Sequence, residues 1–188
     1  MRLDLCARVM MGGSGDSEVS ETSIDELYCE LSTMPESSPR TSFVVRWADL
    51  DSNGHMANTA YLDACVDTRL GYFATRGFTP GDLARHGIAP VVRRDEVDYY
   101  RELRLGESYS IDLELAGTSH DGSRFRLRNR FRKEDGTLTA EVVSTGGWLD
   151  LRSRHLARPP EPIRDALLAL PRSEDFEELP PSVQGEQE

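Results

Sequence analysis

The sequence predicts an α+β domain with an antiparallel sheet, and three observations carry that prediction. A stretch with helical periodicity runs from Asn58 to Arg76, a strand-like stretch stands just ahead of it, and four more follow Ile88. The later stretches are separated only by short turns, and short turns force antiparallel neighbours because a parallel pair needs a long crossover. The 188 residues suffice for one domain with a substantial core.

Residues 1–40 read as a largely flexible N-terminal appendage. GGSGDSEVSE and STMPESSPR have linker composition. Between them, Ser23 and Glu26 form a capping-box pattern beside Ile24, Leu27, Tyr28 and Leu31, so one short amphipathic helix is expected. The core is expected over 41–158. TSFVVRW, from Thr41, is β-branched and aromatic and reads as a strand. The helix that follows has Asn58 as its N-cap, Gly77 at its end and Pro80 beyond. Its residues Tyr61, Leu62, Ala64, Cys65, Val66, Leu70, Tyr72 and Phe73 cover so much circumference that the helix is expected to be mostly buried. PGDLARHG then makes a short helical turn.

Strands are expected near 88–103, 108–118, 123–133 and 137–151, broken at LGE, HDG and EDG. In SRFRLRNRFRK the residues Arg124, Arg126, Arg128, Arg130 and Arg132 share one face, with Phe125, Leu127 and Phe131 on the other. Asp112, Glu114 and Glu141 stand at the parity needed to pair with those arginines. Ile163, Ala166, Leu167 and Leu170 form a last short helix between Pro162 and Pro171. The remaining RSEDFEELPPSVQGEQE is acidic and is expected to be disordered, so 159–188 read as a short helix and a tail.

The net charge of -11 belongs to the ends of the chain. Residues 1–40 carry 3 basic against 8 acidic side chains, 159–188 carry 2 against 8, and the stretch between holds 17 of each. A neutral core with acidic ends argues against nucleic-acid and anionic-membrane partners. Cys6, Cys29 and Cys65 show neither disulfide nor zinc spacing. No apolar run approaches the roughly 18–20 residues of a membrane span, and the charged opening does not read as a signal peptide. A cytoplasmic protein is the expectation.

DLDSNGHMANTAY, from Asp49 to Tyr61, admits three readings. Asp49, Asp51, Asn53 and Gly54 fill the first positions of a calcium loop, but Ala60 stands where the bidentate glutamate belongs, and a strand rather than a helix leads in. A structural turn explains the Asp, Ser, Asn and Gly content and a capping Asn58, but neither His55 nor the need for both acids. A carboxylate at the start of a buried helix can act as nucleophile or base, because free N–H groups there favour developing negative charge. Elsewhere the chain has no G-x-S-x-G elbow, P-loop or G-x-G-x-x-G. Cys65 reads as core, and His86, His120 and His155 as surface residues.

RWADLDSNGHMANTAYLD resembles the active-site segment of hotdog-fold acyl-CoA and acyl-carrier-protein thioesterases, roughly W-x-D-x-D-x-N-x-H-V-N-N-x-x-Y. Trp47, Asp49, Asp51, Asn53, His55, Asn58 and Tyr61 match; Met56 stands at the valine and Ala57 replaces the first paired asparagine. The order of elements from 41 to about 151 fits as well. The resemblance implies a hotdog fold, five or more antiparallel strands wrapped around a long central helix. It implies Asp51 as nucleophile or general base, Asn53 and His55 as positioning partners, and Asn58 and Tyr61 at the substrate. VDYYRELRLGE resembles the family's later E-Y-R-R-E-C segment, which puts Glu102 at its acid and Leu103 at its cysteine.

The activity so implied is hydrolysis of an acyl-CoA or acyl-carrier-protein thioester to free acid and thiol. Thiolate is a good leaving group, so neither a metal nor a cofactor is required. In this family the acyl site lies between subunits, which implies a homodimer or a dimer of dimers. Two alternatives share the fold, a non-catalytic acyl-binding or scaffold protein and a hydratase. Hotdog hydratases carry D-x-N-P-x-H, whereas His55 follows Asp51 by four residues with Gly54 at the proline position. The hydratase is therefore disfavoured.

Overall fold

A computed structural model describes residues 38–181; the helix expected near Ser23, and Cys6 and Cys29, lie outside the described residues. Strand β1 (Arg40–Val44) passes through a short 3-10 turn (Trp47–Asp49) and the polar stretch into helix α1 (Asn58–Thr75). Helix α2 (Pro80–Arg85) leads to β2 (Ile88–Tyr99), β3 (Ser108–Ser119), β4 (Arg124–Lys133) and β5 (Leu138–Asp150). The short β6 (Leu156–Ala157), α3 (Glu161–Leu168) and β7 (Arg172–Leu179) follow. The path β1-β3-β4-β5-β2 is antiparallel, with β6 beside β5 and β7 parallel beside β3. This is the hotdog arrangement that the resemblance implies.

The core lies between α1 and one face of the sheet, in two apolar clusters. Met56, Tyr61, Cys65, Leu103, Tyr109 and Phe131 belong to the one nearer the polar stretch. Tyr72, Phe73, Leu127, Trp148, Ile163 and Leu167 belong to the other, at the far end of α1. Within the described residues α1 departs from its expected burial. Tyr61, Ala64, Cys65, Thr68, Arg69, Tyr72 and Phe73 are buried, but Asp63, Val66 and Asp67 face outward. The sheet covers one side, and the two aspartates, four residues apart on the other, keep that side in water. Strand β2 also stops short of its expected end at 103. The Tyr100 and Arg101 N–H groups both turn to the Thr139 carbonyl (2.8 and 3.0 Å), which carries Leu103 into the core.

The acidic tail needs the larger correction, because Arg172–Leu179 is strand β7 and not disordered chain. Composition alone misleads here, since the arginine face of β4 supplies the partners that an acidic strand needs. Arg128 holds Asp175, Arg126 reaches Glu177 at 3.3 Å, Ser173 is buried and Phe176 packs on the core. The expected cross-strand pairs form as well: Arg130 to Glu114 and Glu141 (2.9 and 3.0 Å), and Arg132 to Asp112 (3.4 Å). Gly117 of β3 permits the close approach of β7, because a Cβ there would lie 2.7 Å from the Glu177 carbonyl oxygen. Gly117→Ala is accordingly expected to destabilise the domain by about 1–3 kcal/mol, as overpacking does. Urea denaturation reads the loss, and proteolysis should begin within 172–179; an unchanged midpoint would show that β7 does not hold the edge of β3.

Candidate active site

The site is built from the turn between β1 and α1. Asp49 folds back on Arg46, its carboxylate accepting from the Arg46 backbone N–H (2.7 Å) and guanidinium (2.8 and 3.1 Å). Arg46 thereby holds the Asp49 carboxyl below its ordinary value. The first acid of the motif is therefore a structural clamp on its own turn.

Asp51 closes the next turn. Its N–H donates to the His55 carbonyl (2.9 Å), and its Oδ1 accepts from the N–H groups of Asn53 (2.8 Å) and His55 (3.2 Å). The Asn53 side-chain amide reaches Oδ2 at 3.5 Å. Gly54 takes φ +76°, a conformation that glycine adopts without penalty. The carboxylate stays solvent-exposed, and the Asn53 N–H, seconded by that of His55, holds it below its ordinary value of 3.8. It is ionised at neutral pH, as a nucleophile or base must be.

The next residues tie this turn to the segment after β2. Met56 N–H donates to the Leu103 carbonyl (2.8 Å) and His55 pairs with Arg104 as an isolated bridge. His55 Nε2 consequently lies 4.0 Å from Glu102 Oε1, although 47 residues separate them. Arg104 donates to Glu102 at 2.6 Å and holds its carboxyl below the ordinary value, so Glu102 is ionised and suited to orient an imidazole. Glu102→Gln is expected to lower kcat/KM for the reaction proposed below by up to about 100-fold, the scale of a misplaced catalytic geometry. KM should stay near the parent's; a loss confined to KM would instead make Glu102 a substrate contact.

Helix α1 begins one residue away from the expected cap. Ala57 is the N-cap: its N–H donates to the Asp49 carbonyl (2.8 Å) and its carbonyl accepts from Ala60 N–H (2.9 Å). Asn58 is thus the first helical residue, and its side chain is released from capping duty. Among the described residues no backbone acceptor takes the N–H of Asn58 or Thr59. Asp51, His55, Asn58, Tyr61 and Glu102 all line one crevice of about 820 Å³, with Asn53 set against Asp51. Burial pushes the Tyr61 phenol up to about 12, so it is a neutral hydroxyl, and its ring meets Tyr99 edge-on at 5.2 Å and Phe131 at 5.0 Å.

Other residues sort away from this place. Trp47, although part of the motif, is 79% exposed and does not line the crevice. Cys65 is buried, and burial pushes its thiol up to about 12, so it supplies no thiolate. Tyr72 and Phe73 belong to the distal core, and His86, His120 and His155 are exposed. Tyr99, Tyr100 and Arg101, with Lys133, Asp135 and Thr137, complete the lining of the crevice. The sequence signals those last three only as turn residues, since their part depends on the β4–β5 turn reaching the mouth. Among the described residues no three His, Cys, Asp or Glu side chains gather as a metal site.

Comparison with known proteins agrees with this architecture. Residues 45–167, well over half of the chain, match the model of the thioesterase-like superfamily. The chain belongs to that superfamily. Among solved structures it is similar to the hypothetical protein SAV2348 from Staphylococcus aureus, solved in complex with CoA. That match has 19% identity and a TM-score of 0.66, covering 81% of this chain and 92% of that one. It is similar also to Slr0204, a 1,4-dihydroxy-2-naphthoyl-CoA thioesterase from Synechocystis, with 18% identity, a TM-score of 0.64, and 71% and 97% coverage. A hypothetical protein from Thermus thermophilus, TT1821, shares 25% identity at a TM-score of 0.64, covering 72% of this chain and 99% of that one. A comparison with curated proteins gave no match. No helix among the described residues is long and apolar enough to cross a membrane.

Proposed function

We propose that the protein hydrolyses acyl thioesters of CoA or of a carrier protein, with Asp51 as its acting carboxylate. One observation carries this reading: Asp51, His55 and Glu102, from two distant segments, line one crevice at the start of α1. The thioester carbonyl oxygen is placed against the Asn58 and Thr59 N–H groups, where the helix start favours negative charge. Asp51 then attacks the carbonyl carbon, forming an anhydride as the C–S bond breaks and thiolate leaves, and water releases the acid. On the other route Asp51 takes a proton from water, which attacks in its place. His55 and Asn53 hold the geometry, and Glu102 orients His55. In a single turnover in oxygen-18 water, label appearing in Asp51 supports the covalent route with water attacking the aspartyl carbonyl. Hydroxylamine trapping of an Asp51 hydroxamate detects the anhydride whichever carbonyl water attacks, and the absence of both label and hydroxamate rejects the route.

The proposal includes a second copy of the chain. Among the described residues strand β2 ends the sheet with one edge unpaired, and Val92, Tyr99 and Tyr100 along and just beyond it are exposed. An uncovered strand of this length is a ready surface for strand pairing, and it adjoins the crevice wall. Light scattering at micromolar concentration is expected to give a dimer or a dimer of dimers; a monomer contradicts it.

One observation favours the rival, an acyl-binding protein without turnover: Asp51 Oδ1 already serves two N–H groups of its own turn. Oδ2 retains capacity for a substrate or a water, which is why hydrolysis is preferred. Free-thiol release from a panel of acyl-CoA esters decides between them. Release by the parent protein that Asp51→Asn abolishes supports the hydrolase, and no release from any acyl-CoA ester or from the same acyl groups on a carrier protein supports the binding protein.

A further inference from the structure

The crevice has an inner end, and Tyr61 forms much of it. Of its twelve lining residues only Met56 and Tyr61 are buried, at 6% and 3% exposure. The others are polar or charged, apart from Tyr99 and Tyr100, which are 51% and 46% exposed. An apolar chain entering the crevice therefore finds buried apolar surface only at Met56 and Tyr61.

Tyr61 is fixed in that position by its neighbours. It follows Asn58 by three residues on α1, about 4.5 Å along the helix. Helical side chains lean toward the helix start, so its ring lies over the turn that opens with Asn58. Phe131, fully buried, is tilted against that ring at 5.0 Å and is itself stacked on Tyr109 at 5.9 Å. The ring cannot swing inward without displacing these close-packed aromatics. The next residues along the same side of α1 are the small, buried Ala64 and Cys65, members of the same apolar cluster. The Tyr61 ring thus stands between the crevice and this interior.

We propose that Tyr61 sets the length of the acyl group, so that the crevice favours short acyl chains of about four carbons over long ones. The inference deepens the thioesterase reading and rests on it. With the carbonyl oxygen at the Asn58 and Thr59 N–H groups, the chain has about one helical turn, roughly 4.5 Å, before it meets the ring. An extended chain advances about 1.2 Å per bond, so about three carbons beyond the carbonyl fill that distance. Each methylene buried up to that point favours binding about fourfold, and those beyond it lie on polar, solvent-facing residues and add little.

The test is thiol release from acetyl-, butanoyl-, hexanoyl-, octanoyl- and decanoyl-CoA. The parent's kcat/KM is expected to rise about 10-fold from acetyl to butanoyl and to gain nothing from the longer chains. Tyr61→Leu keeps an apolar side chain but removes the outer part of the ring. Its hexanoyl-to-butanoyl ratio should rise about 10-fold over the parent's, the effect of about two more buried methylenes. Tyr61→Phe retains the ring and should keep butanoyl as its best chain, whatever its absolute rate. A merely structural role for Tyr61 lowers all rates together and leaves the ratios unmoved. Parent rates that climb to decanoyl, ratios unmoved by Leu, or ratios moved as far by Phe as by Leu overturn the length limit and leave the thioesterase reading intact. The parent's profile decides by itself if Tyr61→Leu does not fold. Release from none of these acyl groups, on CoA or on a carrier protein, overturns the thioesterase reading. Calorimetric titration with the same CoA esters then decides the limit on its own. Affinity that stops rising at butanoyl supports it, and affinity that climbs to decanoyl, or no binding, overturns it.

Discussion

Asp51→Asn is expected to lower kcat/KM for acyl-thioester hydrolysis by about 10²–10⁴-fold while leaving the fold in place. The substitution separates two duties of one side chain. As an acceptor, Asp51 Oδ1 holds the N–H groups of Asn53 and His55 and so keeps the turn closed. An amide oxygen can still do this. In the proposed reaction it attacks carbon or takes a proton as an anion, and an amide cannot. Asp51→Ala removes both, and is expected to lose activity equally and to lower Tm as well. A parent-like rate from Asp51→Asn would remove the carboxylate from the chemistry.

The same group sets a pH limit. The Asn53 N–H, with that of His55 behind it, depresses the Asp51 carboxyl from 3.8, and Arg46 depresses that of Asp49 from the same value. A carboxyl whose folded pKa is depressed adds stability that is present above the unfolded value and disappears as pH falls through the folded one. Both stability and the acid limb of kcat/KM should therefore hold down to pH 3.8 and fail below it. Asp51→Asn should lose its share of that stability change.

Phe131→Ala is expected to have the largest effect on stability. Phe131 is fully buried on β4, tilted against Tyr61 at 5.0 Å and stacked on Tyr109 at 5.9 Å. Removing a buried phenyl ring costs about 3–5 kcal/mol, transfer and cavity together, which for a domain of this size lowers Tm by roughly 6–20 °C. Activity should fall as well, because Tyr61 is both a wall of the crevice and a neighbour of this ring. Phe131→Leu, which fills most of the volume, should recover much of both. A loss of stability with kcat/KM untouched would show that Tyr61 keeps its place without this support.

What could be read from the sequence follows from how local each feature is. The strand limits on β3, β4 and β5 come within one residue of their expectation, because glycine turns and alternating side chains are properties of neighbours. The arginine pairs of β4 were legible for the same reason. Strand β7 was not, since its acidic residues gain order only from Arg126 and Arg128, some fifty residues earlier. Asn58 was misplaced by one position because the Asp49 carbonyl caps the turn through Ala57, a backbone contact that no side-chain pattern records. The motif pointed to Asp51, Asn53, His55, Asn58 and Tyr61, and a short second resemblance pointed to Glu102; the structure gathers them around one crevice. Lys133, Asp135 and Thr137 carried no such signal. Nor did the buried bonds of Arg69 to Asn129 and Ser144, because a charged residue on an apolar helix face reads as ordinary until its partners are known.

What the whole account requires is an electrophilic carbon resting against the Asp51 carboxylate, its oxygen turned to the first amides of α1. The most direct check is a crystal structure with a ketone analogue of an acyl-CoA, in which a methylene between carbonyl and sulfur prevents cleavage. The predicted result has the carbonyl carbon about 3–3.5 Å from an Asp51 oxygen and its oxygen within hydrogen-bond reach of Asn58 or Thr59 N–H. A carbonyl lodged out of contact with Asp51 would contradict it.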